Sequence, residues 1–162
     1  MTLYLMDANV VIRANADYYP LDRLPPFWAW LLSMAEAGRV AMPVEIFEEV
    51  CNSPDILGQW LRRTEVRRAI VLNEPTNRAA VQRVIAEGYA PDLNDVELLS
   101  LTRDPFLVAA ALGGPGRVVA TREVSKPKKQ RANRKIPDVC AALKLECIGD
   151  FELWRRLNFR MD

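Results

Sequence analysis

With 22 Lys and Arg against 21 Asp and Glu, this chain of 162 residues carries a net charge of +1, so overall charge selects no partner. Half of the residues are apolar and 27% are charged, which suits one globular domain spanning residues 1–162 and long enough to bury most of its apolar surface. Histidine is absent, which excludes Ser-His and Cys-His catalysis and argues against zinc, leaving carboxylates, hydroxyls, Lys, Arg or another bound metal for any enzymatic chemistry.

The start, Met1-Thr2-Leu3-Tyr4, has neither the basic region nor the long apolar core of a signal peptide. No apolar run approaches the roughly 18 residues that span a bilayer, so a cytoplasmic location with no membrane partner is expected. Cys51, Cys140 and Cys147 form no C-x-x-C pair and read as small buried hydrophobes in a reducing compartment.

In chain order, Leu3 to Met6 is a short buried strand that runs directly into Asp7-Ala8-Asn9. Asn15 to Pro26 reads as a loop, with a helical turn after Val10. Pro25-Pro26 opens a helix from about Phe27 to Ala37, and Gly38 stops it. A second strand, Val40 to Met42, leads through Pro43 into a helix ending near Cys51. Asp55 caps a short helix to Arg63, and Ala69 to Leu72 is a weaker strand candidate. Thr76 is placed as the cap of a helix to Glu87 that Gly88 to Pro91 breaks. Asn94 or Asp95 caps a helix through Leu101, and Asp104-Pro105 begins another that ends at Gly113-Gly114-Pro115-Gly116. A strand at 117–120, a basic loop at 124–135, a helix at 136–145, a strand at 146–148 and a helix at 149–157 complete the chain. The alternation predicts an α/β fold, a central parallel sheet with helices on both faces.

Asp7 follows an apolar strand at once, and an ionised carboxylate there is costly to bury without a partner. In an open α/β sheet, the carboxyl ends of strands are where ligands sit. Asp104, at a helix start before the strand at Val118, and Glu123, just after that strand, fall at the same edge; Glu49 lies in the helix after strand two. Four carboxylates so gathered call for a hard cation, Mg²⁺ or Mn²⁺, and such ions can activate water and stabilise the leaving oxygen of a phosphodiester. Each acid has a plainer alternative: Asp7 and Asp104 as helix caps, Glu49 as a helix-start charge favoured by the dipole, Glu123 as a solvated loop charge.

At these residues the chain resembles the PIN-domain superfamily of metal-dependent ribonucleases, most closely a PIN-like branch catalogued only as a domain of unknown function. The motifs are Leu5-Met6-Asp7-Ala8-Asn9; Pro43, Ile46 and Glu49-Val50; Asp104-Pro105 with its alanine-rich helix; and Val118-Val119-Ala120-Thr121-Arg122-Glu123. Tyr19-Pro20 through Trp28 and Lys135 to Cys140 are also branch-like. The resemblance covers nearly the whole chain and keeps the motif order. It implies a three-layer α/β/α PIN-like fold with four to five short strands. It also implies a catalytic Mg²⁺ or Mn²⁺ site on Asp7, Glu49, Asp104 and Glu123, with Asn9 and Thr121 in support. In many members Asn or Asp, plus a further Asp, stands around the fourth motif; here Glu123 takes that place, and Asp138 either completes the site or simply starts a helix.

The loop after Glu123 carries Lys126, Lys128, Lys129, Arg131, Arg134 and Lys135 without an acid, and so borders the acidic site. It is either a phosphate-contacting rim or a solvated charge run. The implied activity is hydrolysis of RNA, and the small size fits the toxin of a toxin–antitoxin pair, with an antitoxin protein and a second copy of the chain as partners. The alternative is a PIN-like nucleic-acid-binding or interaction module without turnover. A receiver domain or a haloacid-type phosphatase fits poorly, since Asn9 stands where the latter needs a second Asp.

Overall fold

The computed structural model describes residues 1–162. Its centre is a four-stranded, all-parallel sheet in the order β2-β1-β3-β4, with β1 Leu3–Met6, β2 Val40–Ala41, β3 Arg117–Ala120 and β4 Cys147–Ile148. The helices are α1 Ala8–Arg13, α2 Pro25–Glu36, α3 Val44–Val50, α4 Ile56–Leu61, α5 Thr64–Ile70, α6 Arg78–Arg83, α7 Asp95–Ser100, α8 Asp104–Leu112, α9 Ile136–Ala142 and α10 Asp150–Arg156. They flank the sheet in the three-layer α/β/α arrangement that the alternation predicts. None is long and apolar enough to cross a membrane.

The two central strands read as continuous apolar runs because both of their faces are covered. Tyr4, Leu5, Met6, Val118, Val119 and Ala120 are all buried. Leu5 pairs with Ala41 on one side and Val119 on the other. Beyond the last paired residues, the Asp7 amide donates to Ala120 O and the Thr121 amide to Ile148 O. This ladder carries Asp7 and Thr121 to the same level of the carboxyl edge.

Aromatic packing closes one side of the core. Tyr19 stacks on Phe27 at 4.3 Å, Trp28 meets Trp60 edge-on at 5.0 Å, and the Trp28 indole donates to Tyr19 O at 2.7 Å. Such pairs contribute about 0.5–1.5 kcal/mol each beyond area burial. The branch-like segment from Tyr19 to Trp28 is therefore a packing device.

Four local expectations are corrected. Residues 69–72 are not a strand: α5 runs to Ile70, and a single bridge pairs Val71 with Met42. The loop at 15–26 begins with a π-helical turn, Ala14–Tyr18. Thr76 does not cap α6; Asn77 does, through Ala80 N, while the Thr76 hydroxyl turns to Glu45. Nor does Gly88 stop the helical backbone, because a π-helical segment, Val84–Tyr89, continues through it. A Cβ on Gly88 would lie 2.6 Å from Val139 Cγ1, so glycine is what lets this segment seat against α9.

Candidate functional site

Asp7 is the N-cap of α1 and an acid at a strand end at once. Its Oδ1 accepts from the Ala8 amide at 2.8 Å, and its Oδ2 accepts from the Thr121 hydroxyl at 2.9 Å. Only 6% of its surface is exposed. Burial pushes its pKa up, the two hydrogen bonds hold it down, and the charge of Glu123 pushes it up further. The capping alternative and the strand-end placement are both realised on one side chain.

Thr121, 1% exposed, organises this edge. Its Oγ1 donates to Asp7 and accepts from Asn9 Nδ2 at 3.3 Å and from the Glu123 amide at 3.1 Å. Asn9 Oδ1 in turn accepts from the Arg122 amide at 3.1 Å. The first and fourth motifs are thus stitched together by Asn9 and Thr121.

Asp104 occupies the first turn of α8, but it does not cap the helix. Arg103 stands at the N-cap, no side chain caps that end, and Pro105 comes next as the residue without an N–H. The Asp104 carboxyl is left to face the interior. Its pKa is pushed up to about 7, first by burial, then by the charges of Asp7, Glu123 and Glu49, with Lys135 opposing. Glu49 sits on the exposed side of α3, yet partial desolvation and the charge of Asp7 raise its pKa against Arg103. Glu123 uses Oε2 to accept from the Ile136 amide at 2.8 Å, tying the β3 exit to the start of α9.

Four carboxylates from four separate elements therefore act on one another, with Asp104 feeling the other three. A contrast on the same sheet shows what is missing. Asp150, buried at the end of β4, has the Arg13 guanidinium at 3.5 Å, itself held over the Tyr18 and Phe151 rings. Asp7 and Asp104 have no such ion-pair partner. The donor set, all carboxylate oxygen with uncompensated charge, suits a hard divalent cation in its chemistry. Its geometry is not ready-made, for no three acidic or cysteine side chains converge tightly enough to hold an ion as they stand.

Asp138 stands apart from this cluster. Its carboxylate accepts from the Ser125 hydroxyl and from the Lys126 amide, at 2.8 Å for the latter, and these bonds hold its pKa below the usual range. It fixes the base of the basic loop. Within that loop, Arg131 is clasped by Asp92 and Glu97, and Arg134 donates to the Gly88 and Asp138 carbonyls. Lys126, Lys128 and Lys129 are exposed. The half-buried Lys135 is the cation whose charge reaches Asp104.

One group at this site was not visible in the sequence. Tyr89, 7% exposed, places its hydroxyl where the charges of Asp104, Glu123 and Asp7 all bear on it. The surrounding Gly88-Tyr89-Ala90-Pro91 reads as a turn, which hid it.

Comparison with curated proteins gives no match. A family model, described as a domain of unknown function (DUF4411), matches residues 4–161. With nearly its whole length covered by that model, the chain belongs to the DUF4411 family.

Proposed function

We propose that this protein is a PIN-like, divalent-metal-dependent endoribonuclease that acts in the cytoplasm as the toxin of a toxin–antitoxin pair. The observation that carries the reading is the mutual electrostatic strain of Asp7, Glu49, Asp104 and Glu123 at the carboxyl edge of the sheet, with no arginine paired to Asp7 or Asp104. Carboxylates so placed are balanced by a cation that draws them in. The same four residues, in the same order, carry the resemblance to PIN-domain ribonucleases.

In this reading Asp7, Glu49, Asp104 and Glu123 hold Mg²⁺ or Mn²⁺. Such an ion, when bound, activates a water and offsets charge on the leaving oxygen of a phosphodiester. The chain's own residues do the rest. Thr121 fixes the Asp7 carboxylate, Asn9 fixes Thr121, and Lys126, Lys128 and Lys129 neutralise backbone phosphates beside the site. The substrate is RNA, and an antitoxin protein would cover this edge.

The test is cleavage of a labelled RNA by purified protein in Mn²⁺ and in EDTA, with Asp7→Asn and Asp104→Asn variants alongside. Metal-dependent cleavage lost in both variants is the expected result. Cleavage that survives Asp7→Asn would point to a contaminating nuclease and sink the proposal. The absence of a preassembled metal cage favours a second reading, a nucleic-acid-binding module without turnover. That reading gains if RNA binds while calorimetry shows no Asp7-dependent uptake of Mn²⁺.

A further inference from the structure

Tyr89 ends the π-helical segment Val84–Tyr89, which packs against α8 and α9. Its ring is held in place because Gly88 allows close approach to Val139, and because Arg134 ties the Gly88 carbonyl to α9. Tyr89 Oη is buried and has no hydrogen-bond partner. Such orphans are rare in native interiors and call for an explanation. The nearest explanation is also unpartnered: no hydrogen bond bears on the Asp104 carboxyl, and Asp104 is first among the charges acting on the Tyr89 hydroxyl. A donor without an acceptor and an acceptor without a donor thus face one another across the site.

We propose that Tyr89 is a positioning residue for Asp104: when the acids gather around a divalent cation, Tyr89 Oη–H donates to one Asp104 oxygen and leaves the other for the cation. The inference rests on the metal-site reading proposed for this edge. Asp7 already has this arrangement in place, with Thr121 on one oxygen and the Ala8 amide on the other. Asp104 lacks it until the site closes. Hydrogen-bonded partners of ligating carboxylates orient them, and their loss lowers metal affinity by roughly 10–100-fold.

The experiment is Mn²⁺ titration by calorimetry of the full chain as wild type, Tyr89→Phe and Asp7→Asn, with the metal-free Tm of each. Tyr89→Phe should bind Mn²⁺ about ten-fold more weakly while its metal-free Tm is unchanged or higher, since the deleted hydroxyl has no partner in that state. Equal affinity in wild type and Tyr89→Phe overturns the inference and leaves the metal site standing. A clear drop in metal-free Tm also overturns it, because the hydroxyl would then already be bonded. No Asp7-dependent binding in wild type overturns the metal-site reading itself. Should Tyr89→Phe not fold, Mg²⁺ addition to wild type must still perturb the tyrosine near-UV absorption; an unchanged spectrum counts against the proposal.

Discussion

The Thr121 hydroxyl donates to Asp7 Oδ2 at 2.9 Å, joining the exits of β1 and β3 across most of the chain. Both residues are buried, so the bond is shielded from water and its loss leaves a buried carboxylate oxygen unsatisfied. Thr121→Val, which keeps the shape, should cost about 1–3 kcal/mol. For a domain of this size that is a fall in Tm of roughly 2–4 °C per kcal/mol. Thr121→Ser should recover most of it. Thermal unfolding of the three proteins decides the point, and equal Tm values would show that the bond carries no stability.

Asp104 makes the metal-free protein's stability depend on pH with an unusual sign. Its pKa rises from 3.8 in the unfolded chain to about 7 in the fold. The folded state therefore holds the proton more tightly, and the contribution is fully present below about pH 4. It is lost as pH rises through about 7. Asp55, Glu74 and Asp138, whose pKa values are lowered, contribute with the opposite sign, so the raw profile is a sum. The difference between wild type and Asp104→Asn isolates the effect: in EDTA, the variant should gain Tm relative to wild type from pH 4 to pH 8. A difference that stays flat over that range would mean that Asp104 is not strained.

Asp7→Asn replaces a charge whose burial is unfavourable by a neutral amide of the same shape. The metal-free Tm should hold or rise, while cleavage of RNA should fall by at least about a hundred-fold, as for loss of one essential charge-stabilising group. Parallel unfolding and cleavage assays separate the two. A variant that loses both fold and activity would make Asp7 structural.

Gly88→Ala should destabilise the fold, because the added Cβ would meet Val139 Cγ1 at 2.6 Å. Overpacking of this kind costs typically about 1–3 kcal/mol. Val139→Ala in the same chain opens the space and should rescue part of the loss. Additive losses in the double variant, read by denaturant unfolding, would place the strain elsewhere.

Lys126, Lys128 and Lys129 are exposed cations beside the acidic edge. Replacing all three with Ala should weaken binding of single-stranded RNA and lower the slope of log K against log salt by about 0.7 for each lost phosphate contact. Arg131→Ala should chiefly loosen the loop, since Arg131 is committed to Asp92 and Glu97. Fluorescence anisotropy at several salt concentrations distinguishes these outcomes; an unchanged slope in the triple variant removes the loop from the interface.

Local residue chemistry was enough for the elements with strong signals. Asn94 and Glu97 form the capping box expected from their spacing, and Pro25-Pro26 and Gly38 bound α2. The misreadings share a cause. Residues 69–72 carry strand-like side chains, but Ile70 is buried as the last turn of α5, and tertiary packing overrides propensity there. Gly88 and Pro91 punctuate the chain like a turn, yet Gly88 serves close packing on α9, which needs a partner helix that local sequence does not reveal.

By itself the sequence determined which residues are candidates: apolar runs ending in Asp7 and Thr121, an Asp-Pro helix start at Asp104, and a cation-rich loop after Glu123. Those are properties of neighbours along the chain. Only the tertiary structure decided how they are used. It put Asp7 under Thr121 and left Asp104 uncapped beside an unpartnered Tyr89. It also spent Asp138 on the loop and gave Asp150, but not Asp104, an arginine. The reason is physical: burial, opposing charge and hydrogen-bond partners set a carboxylate's state, and all three come from residues far away in sequence.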